Sequence, residues 1–507
     1  MPGINISTAV RTGPTTTTVR ESSQAFFVGK AFRGPTDVAT LITGMEQFEL
    51  HYGGYVNGNY LYSTVETFFE EGGSQCYVAR ALASDSVAGR LSLKNNSNSA
   101  TVITLIAVGG GTWSSAAGGA ERLSAVVTAG TAASTAVVKI YKGGTLIMST
   151  GNCTTNQQIA GKINVHPVAS LLCTAQVVAG KETTELASAA AEKYFGDSSD
   201  VDGTAGTAVA DSDLVDALDL FLDSYGTGVV ACPESTGIND ELIAHANSMN
   251  RLAFLYADAG TDPNDASASG DYDDLISITQ GIQGSDNAEH VAFFAPWVYV
   301  PTGTLGVNRL IPPVGYAAGA RARAHNNVGP HQPGAGVTST ARFVNGIEFA
   351  IGSTLGDSLD AESINAIRII NNTIRIYGAR SCSGDLPNFR YITSQDVLNH
   401  VVVESYRSLE DVLFRPIDAR NALFVSIKQR LQSIMEELRT IGAIYPAFDN
   451  NGRQIDYGYT VICDSSINPL ANLVNGTVTA RVGLRVTGIG DSIQVDIIKS
   501  SLTASVV

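Results

Sequence analysis

Two rhythms of apolar residues alternate along the chain. The first has helical spacing: in "YLYSTVETFFEEGG", Leu61, Val65, Phe68 and Phe69 share one face, and Gly72 and Gly73 end the run. "TGMEQFELHYGG" reads as a second helix, opened by Thr43 and Glu46 as a capping box and closed by Gly53 and Gly54. The second rhythm is the short, continuously apolar run of a buried strand, as in "AFFVGKAF" and "QCYVARAL". Residues 25–82 therefore predict a compact α/β segment. From about 91 to 185 the texture changes to alternating runs of Ala, Thr, Ser, Val and Gly, such as "TVITLIAV", "AVVKIYKGGTLIMST" and "AQVVAG". "KGGT" is a hairpin turn between two of them. This stretch reads as a β-rich insertion of sandwich type.

Residues 186–335 return to alternation of helix and strand. "DLVDALDLFLDSYG", "NDELIAHANSMN" and "DYDDLISITQGIQ" are helices, and "TGVVACPE", "RLAFLYAD" and "HVAFFAPWVYV" are strands, which predicts a mainly parallel sheet. In the last third, "NTIRIYGAR" is strand-like and "SQDVLNHVVVESYRSLEDVLF" helical. "ALFVSIKQRLQSIMEELRTIGA" carries a stripe of Phe424, Ile427, Leu431, Ile434, Leu438 and Ile441. "TVTARVGLRVTG" is the cleanest strand, with Val478, Ala480, Val482, Leu484 and Val486 on one face.

Both ends differ from the rest. "TAVRTGPTTTTVRES" has almost no large apolar residue and cannot bury itself, yet threonine and valine favour extended backbone. "SIQVDIIKSSLTASVV" alternates in the same way. Each end predicts an arm that adds a strand to something else, with Thr15, Thr17, Val19, Ile493, Val495 and Ile497 as its contact positions. The expected architecture is thus multidomain α/β and β. An arm (1–22) leads into a discontinuous α/β core (23–90 and 337–488). A β-sandwich-like insertion (91–185) and an acidic α/β domain (186–336) interrupt that core, and a second arm (489–507) follows it. Roughly three domains also suit a chain of 507 residues.

Charge sharpens this division. The net charge is −16, and residues 186–335 alone hold 20 acids and 5 bases. Residues 336–507 hold 17 acids and 15 bases, 13 of them arginine, the cation suited to ordered interface contacts. That pattern favours protein partners over nucleic acid, which would want a net basic patch. No apolar run reaches the ~18 residues of a membrane helix, and "MPGINISTAVRTG" lacks the basic start and apolar stretch of a secretory leader. Six dispersed cysteines without a CxxC pair fit a reducing compartment.

Several short stretches imitate chemistry. "GDSL" (Gly356–Leu359) spells an esterase nucleophile block, but the downstream histidine, His400, lacks an aspartate at the usual spacing, since Asp396 lies one residue too far. The plainer reading is a turn before a helix starting near Ser358, with Asp360 and Glu362 in its first turn. "DSSDVDG" (Asp197–Gly203) has calcium-like spacing, yet Val209 stands where a closing glutamate belongs. Phe293, Phe294, Trp297 and Tyr299 would form a stacking platform if exposed, but a buried strand suits them better. "NVGPHQPGAG" (327–336), with His331 and nearby His325, resembles a phosphate cradle, but no helix start or P-loop lysine follows it. It is expected to be a joint where the acidic region gives way to the arginine-rich one. No catalytic residue, metal ligand or cofactor is expected.

The order of the pieces resembles the contractile tail sheath proteins of tailed bacteriophages. "FFVGKAFRGPTDVATLITGMEQFELHYGG" is similar to the family's opening, and "VETFFEEGGSQCYVAR" to its F-F-x-N-G-G … C-Y-V-x-R, with Glu71 where asparagine is usual. "APWVYV", "IPPVGYAAGARAR", "VGPHQPGAG" and "SINAIRII…IRIYGARS" resemble its later blocks. "RYITSQDV" lacks the family's Arg-Arg pair, and "VTGIGDSIQVDI" lacks its A-P-x-x-P-A-E-F. The resemblance implies a structural subunit without catalysis. Such subunits stack as six-fold rings around an inner tail tube, between baseplate and tail terminator proteins, with neighbours linked by donated strands. They assemble in the host cytoplasm into the virion tail, bind no nucleic acid and insert in no membrane. A metastable extended state contracts to drive the tube through the host envelope. A phage-derived injection system or bacteriocin shares this plan. A non-contractile tube or shell protein and a GDSL-type hydrolase are the remaining alternatives.

Overall fold

In the computed structural model, the described residues are 21–491, apart from 116–118, 120, 198–199, 268–269, 305 and 418–420. Strand β1 (Ala25–Gly29) is followed by β2 (Thr40–Ile42), helices α1 (Met45–Tyr52) and α2 (Leu61–Glu70), and β3 (Cys76–Arg80). The anticipated face of α2 is realised: Leu61, Val65 and Phe68 are fully buried. The opening of α1 differs from the expected capping box. Thr43 donates through both its backbone N–H and its hydroxyl to Oε1 of Gln47 (2.9 Å each), and Gly44 holds the N-cap position without a side-chain bond. Gln47 stands one residue beyond Glu46 and its neutral amide takes the role.

Next come β4 (Arg90–Lys94), β5 (Thr101–Ala107), β6 (Leu123–Ala129), β7 (Ala136–Lys142), β8 (Thr145–Ser149), α3 (Asn156–Val165), β9 (Cys173–Val177) and β10 (Ala189–Tyr194). They make two antiparallel sheets, in the orders β4-β5-β9 and β10-β6-β7-β8, whose apolar sides share one core around Trp113, Ile103, Ile140 and Phe195. The hairpin between β7 and β8 turns on Gly143 and Gly144, both at positive φ (55° and 79°), which only glycine adopts without strain. The inserted region is wider than 91–185. Val87 bridges Thr204, and β10 pairs with β6. It also holds α3, capped by Thr155 and buried through Ile159 and Ile163.

The chain continues through α4 (Asp211–Leu218), β11 (Val229–Ala231), α5 (Asn239–Ser248), β12 (Leu252–Tyr256), α6 (Asp271–Gln283) and β13 (Val291–Ala295). After Pro296 the expected single strand divides, and β14 (Val298–Pro301) joins β15 (Asn308–Ile311) and later β16 (Gly346–Ile347) in a small separate sheet. Between β15 and β16 runs α7 (Val314–Asn327); then come α8 (Ser353–Ala361), β17 (Ile364–Ile370), β18 (Thr373–Tyr377) and α9 (Leu386–Phe389). The central sheet has the order β18-β17-β13-β12-β11-β1-β3-β2; its pairings are parallel from β17 to β3 and antiparallel at both ends. One face carries α1, α2 and α7, the other α4, α5, α6 and α8.

This sheet corrects the expected boundaries. Strands from 23–90, 186–336 and 337–488 lie side by side, so the acidic α/β stretch is the middle of the main sheet and no domain outside the core. The change of net charge near 186 and 336 marks exposed helix faces, which say nothing about strand pairing.

Compactness divides the chain after His400, inside α10 (Ile392–Glu410). The second unit holds α11 (Ala422–Thr440), β19 (Ala447–Phe448), β20 (Gln454–Asp456), β21 (Tyr459–Ile462), α12 (Leu470–Val474) and β22 (Arg481–Leu484). Along α11 the buried positions are Leu423, Phe424, Ile427, Leu431, Met435 and Leu438; Ile434 and Ile441 are half-buried. The expected contact positions Thr15, Thr17, Val19, Ile493, Val495 and Ile497 lie outside the described residues.

Candidate assembly surface

The first unit is locked by buried ion pairs around α7. This helix is buried from Val314 to His325 although it carries two arginines and a histidine. Its small residues permit close approach to α2. A Cβ at Gly315 would lie 2.6 Å from the Thr64 carbonyl oxygen, and one at Gly319 2.7 Å from Cβ of Glu71. Arg323 donates from Nη1 to the Glu71 carbonyl (2.6 Å), and from Nη2 to the Thr338 and Thr340 carbonyls. The fully buried Glu71 carboxylate accepts the backbone N–H groups of Arg342, Phe343 and Val344 (2.9–3.1 Å to Oε1). This glutamate therefore fixes the segment that follows α7.

Arg321 pairs with Asp396 through two bonds, one of them Nε to Oδ2 at 3.0 Å, and its Nη1 donates to the Ser22 carbonyl (2.7 Å). Ser22, Ser23 and Gln24 are all buried. Gln24 donates to the Tyr225 and Thr227 carbonyls. The N-terminal side of the chain is thus rooted in the core at 22–24. His325 lies 3.5 Å from Asp396 and is fully buried. Burial, then the charge of Arg321, outweigh Asp396 and push its pKa down to about 4. His245 is held at about 4 by burial and by Arg251, whose Nη1 approaches His245 Nε2 at 2.7 Å.

Both imidazoles are therefore neutral in the folded state and take up protons near pH 6.5 once unfolded. Their stabilising contribution is complete above about pH 6.5 and is lost as pH falls towards 4. The thermal midpoint is expected to decline over that window. His245→Gln should flatten the decline, and an unchanged slope in that variant would contradict the assignment.

The second unit has a different character. Among the described residues, twelve of the twenty-nine exposed large apolar side chains fall in this much smaller unit, including Tyr406, Phe414, Tyr445, Phe448, Ile455 and Tyr457. β21 and β22 form a two-stranded antiparallel sheet, Tyr459 opposite Leu484 and Ile462 opposite Arg481. Neither outer edge has a ladder partner among the described residues. The predicted alternation of 478–486 is present, but its apolar side is only half-buried at Val478, Ala480, Val482, Leu484 and Val486. An open edge beside a half-covered apolar face is a template for added strands.

No protein-family model matches the sequence, and no curated protein matches it as a relative. Solved structures do. A sheath tail protein from Listeria innocua superposes with a TM-score of 0.59 at 14% identity, over 88% of this chain and 89% of that one. The sheath of the PVC extracellular contractile injection system, in its contracted state, gives 0.54 at 12% identity over 99% and 98%. The helical sheath of the anti-feeding prophage, also contracted, gives 0.53 at 13% over 98% and 99%. The chain has the fold of a contractile-sheath protein. The likeness to the two injection-system sheaths runs through both units.

Within the sheath fold, the stretches that imitated chemistry become structural. Ser358 lies inside α8, which starts at Ser353 rather than near 358, and its hydroxyl donates to the Thr354 carbonyl (3.2 Å). Asp396 is committed to Arg321, and Asp360 to Arg380. Asp197 pairs with Arg122, and Asp200 accepts the Ser92 N–H. Among the described residues no group of three or more His, Cys, Asp or Glu is arranged to hold a metal ion. Phe293, Phe294 and Trp297 are buried, and Tyr299 half-buried. The loop 327–336 folds back on α7: a Cβ at Gly334 would lie 2.6 Å from the Arg321 nitrogen. It borders an open cleft of about 330 Å³ lined by Arg323, Gln332, Thr338 and Arg342. It is a packed return inside the first unit, and the expected joint between two domains is absent there because a single sheet spans both sides. The sequence reading missed the partners of Glu71 and the role of α7. The one available signal was Glu71 itself, standing where the resembling family has asparagine.

Proposed function

We propose that this chain is the subunit of a contractile sheath. It stacks in six-fold rings around an inner tube, between baseplate and terminator proteins. The assembly is held in a metastable extended state and contracts to drive the tube through a host cell envelope. The observation that carries this reading is the β21–β22 sheet, whose two outer edges have no ladder partner among the described residues, in a chain whose fold matches sheath proteins over nearly its whole length. Two arms, one from each end of the sequence, suit two vacant edges. Threonine, valine and isoleucine at positions 15–19 and 493–497 supply the extended backbone that strand addition needs. Backbone pairing makes little demand on side chains, so linked subunits stay joined while their globular parts rotate and slide.

The neighbours include both injection-system sheaths and sheath tail proteins, so a phage-tail virion and a phage-derived injection device are both homes for this subunit. The reading assigns no enzymatic step. Electron microscopy of the purified protein is expected to show six-fold tubes in two forms, long and thin or short and wide. A single diameter under all conditions would favour a non-contractile tube, and particles without tubes would refute the reading.

A further inference from the structure

We propose that Arg368 and Arg375 form a docking site for a pair of carboxylates on a second copy of this chain, Asp216 and Asp219 of that copy's α4. The proposal rests on the reading of the chain as a self-assembling subunit and names one contact of that assembly. The two arginines lie directly opposite each other in the antiparallel β17–β18 pair, at the end of the central sheet. Like charges in that position repel. Arg368 is only 8% exposed, and Nε of both guanidinium groups is buried without a hydrogen-bond partner. Among the described residues neither makes an ion pair, although Arg321, Arg323 and Arg380 of the same unit each have a carboxylate. The aromatic face of Tyr377, 5.2 Å from the Arg368 guanidinium, gives partial relief. A buried Arg368 beside a half-buried Arg375, without a counter-ion among the described residues, calls for one from outside.

Asp216 and Asp219 break the opposite rule. Both are exposed, three residues apart at the C-terminal end of α4, where the helix dipole disfavours negative charge. Among the described residues neither side chain has a hydrogen bond or ion pair. The spacings agree, since cross-strand neighbours sit about 4.5–5.5 Å apart and i,i+3 neighbours on a helix about 5–6 Å. The two pairs cannot meet within one molecule. α4 packs on β1 and β3, and β18 lies five strand positions from β1, about 24 Å at the usual spacing. Ile364 and Ala366, which alternate with Arg368, share the core under α4, so the two pairs face the same side of the sheet from opposite ends. A contact between such unlike patches is head-to-tail, the kind that builds rings or helices rather than closed pairs.

The test uses the full chain with Arg375→Glu, Asp219→Arg and their combination. Two quantities are measured: the thermal midpoint of the unassembled protein and the concentration at which tubes sediment. Glu at 375 faces Arg368 as an ion pair, and Arg at 219 suits the helix end, so each single variant should keep or raise its midpoint. Each should also raise the assembly concentration at low salt by at least about tenfold. The combination should recover most of that loss. Single variants that assemble like the parent overturn the docking and leave the sheath reading standing. So does failure of the combined variant to recover while it folds normally, or sulfate that raises the parent's midpoint while the variants still assemble, which marks a free-anion site. A parent protein that forms no tubes overturns both.

Discussion

Glu71→Ala should destabilise the protein by roughly 3–5 kcal/mol, the range for breaking a buried charge network by removing one partner. The carboxylate is fully buried and gathers three consecutive backbone N–H groups, from Arg342 to Val344, together with the Arg323 guanidinium. Alanine leaves the three N–H groups without that acceptor and strips Arg323 of its carboxylate, although the guanidinium keeps the Glu71, Thr338 and Thr340 carbonyls. Glu71→Gln keeps the shape and one acceptor oxygen but turns an amide NH₂ towards donors, so it should cost about 1–3 kcal/mol. Denaturant unfolding of both variants checks the order. A loss below about 1 kcal/mol in the alanine variant would mean that the segment after α7 is held by other contacts.

Removal of residues 1–20 should leave a folded protein that cannot form tubes. The cut stops short of Ser22–Gln24, whose bonds to Arg321, Tyr225 and Thr227 root the chain in the core. The unfolding midpoint should therefore stay close to that of the full chain. What is lost is a donated strand. Each backbone hydrogen bond it makes contributes about 0.5–1.5 kcal/mol net, and a tube repeats the link at every subunit. Circular dichroism and sedimentation separate the two effects. Normal tubes from the truncated chain would exclude strand donation by this arm.

The parts of the fold that were legible in the sequence are those in which one rhythm dominates. β1, β3, α2 and α11 were read from apolar spacing because each helix buries one stripe and each strand is covered on both faces of the sheet, which makes it apolar throughout. α7 was not read as a helix, since a helix buried on all sides among small residues, with Arg321, Arg323 and His325 inside, has no apolar stripe. Boundaries failed for a related reason. Strand order depends on contacts far apart in sequence, so the pairing of β13 with β17 leaves no trace in local spacing, while a change of surface charge does. The edges of β21 and β22, which have no ladder partner among the described residues, were equally invisible. The alternation at 478–486 predicts a half-buried strand, but only the sheet shows which side has no neighbour.

The measurement that bears most directly on the central claim is a cryo-EM reconstruction of tubes grown from the full chain, read along the two outer edges of β21 and β22. The account predicts an extra strand on each edge, one from residues near 15–19 and one from residues near 493–497 of other copies. Tubes in which both edges remain bare, with neighbours held only by side-chain contacts, would contradict it.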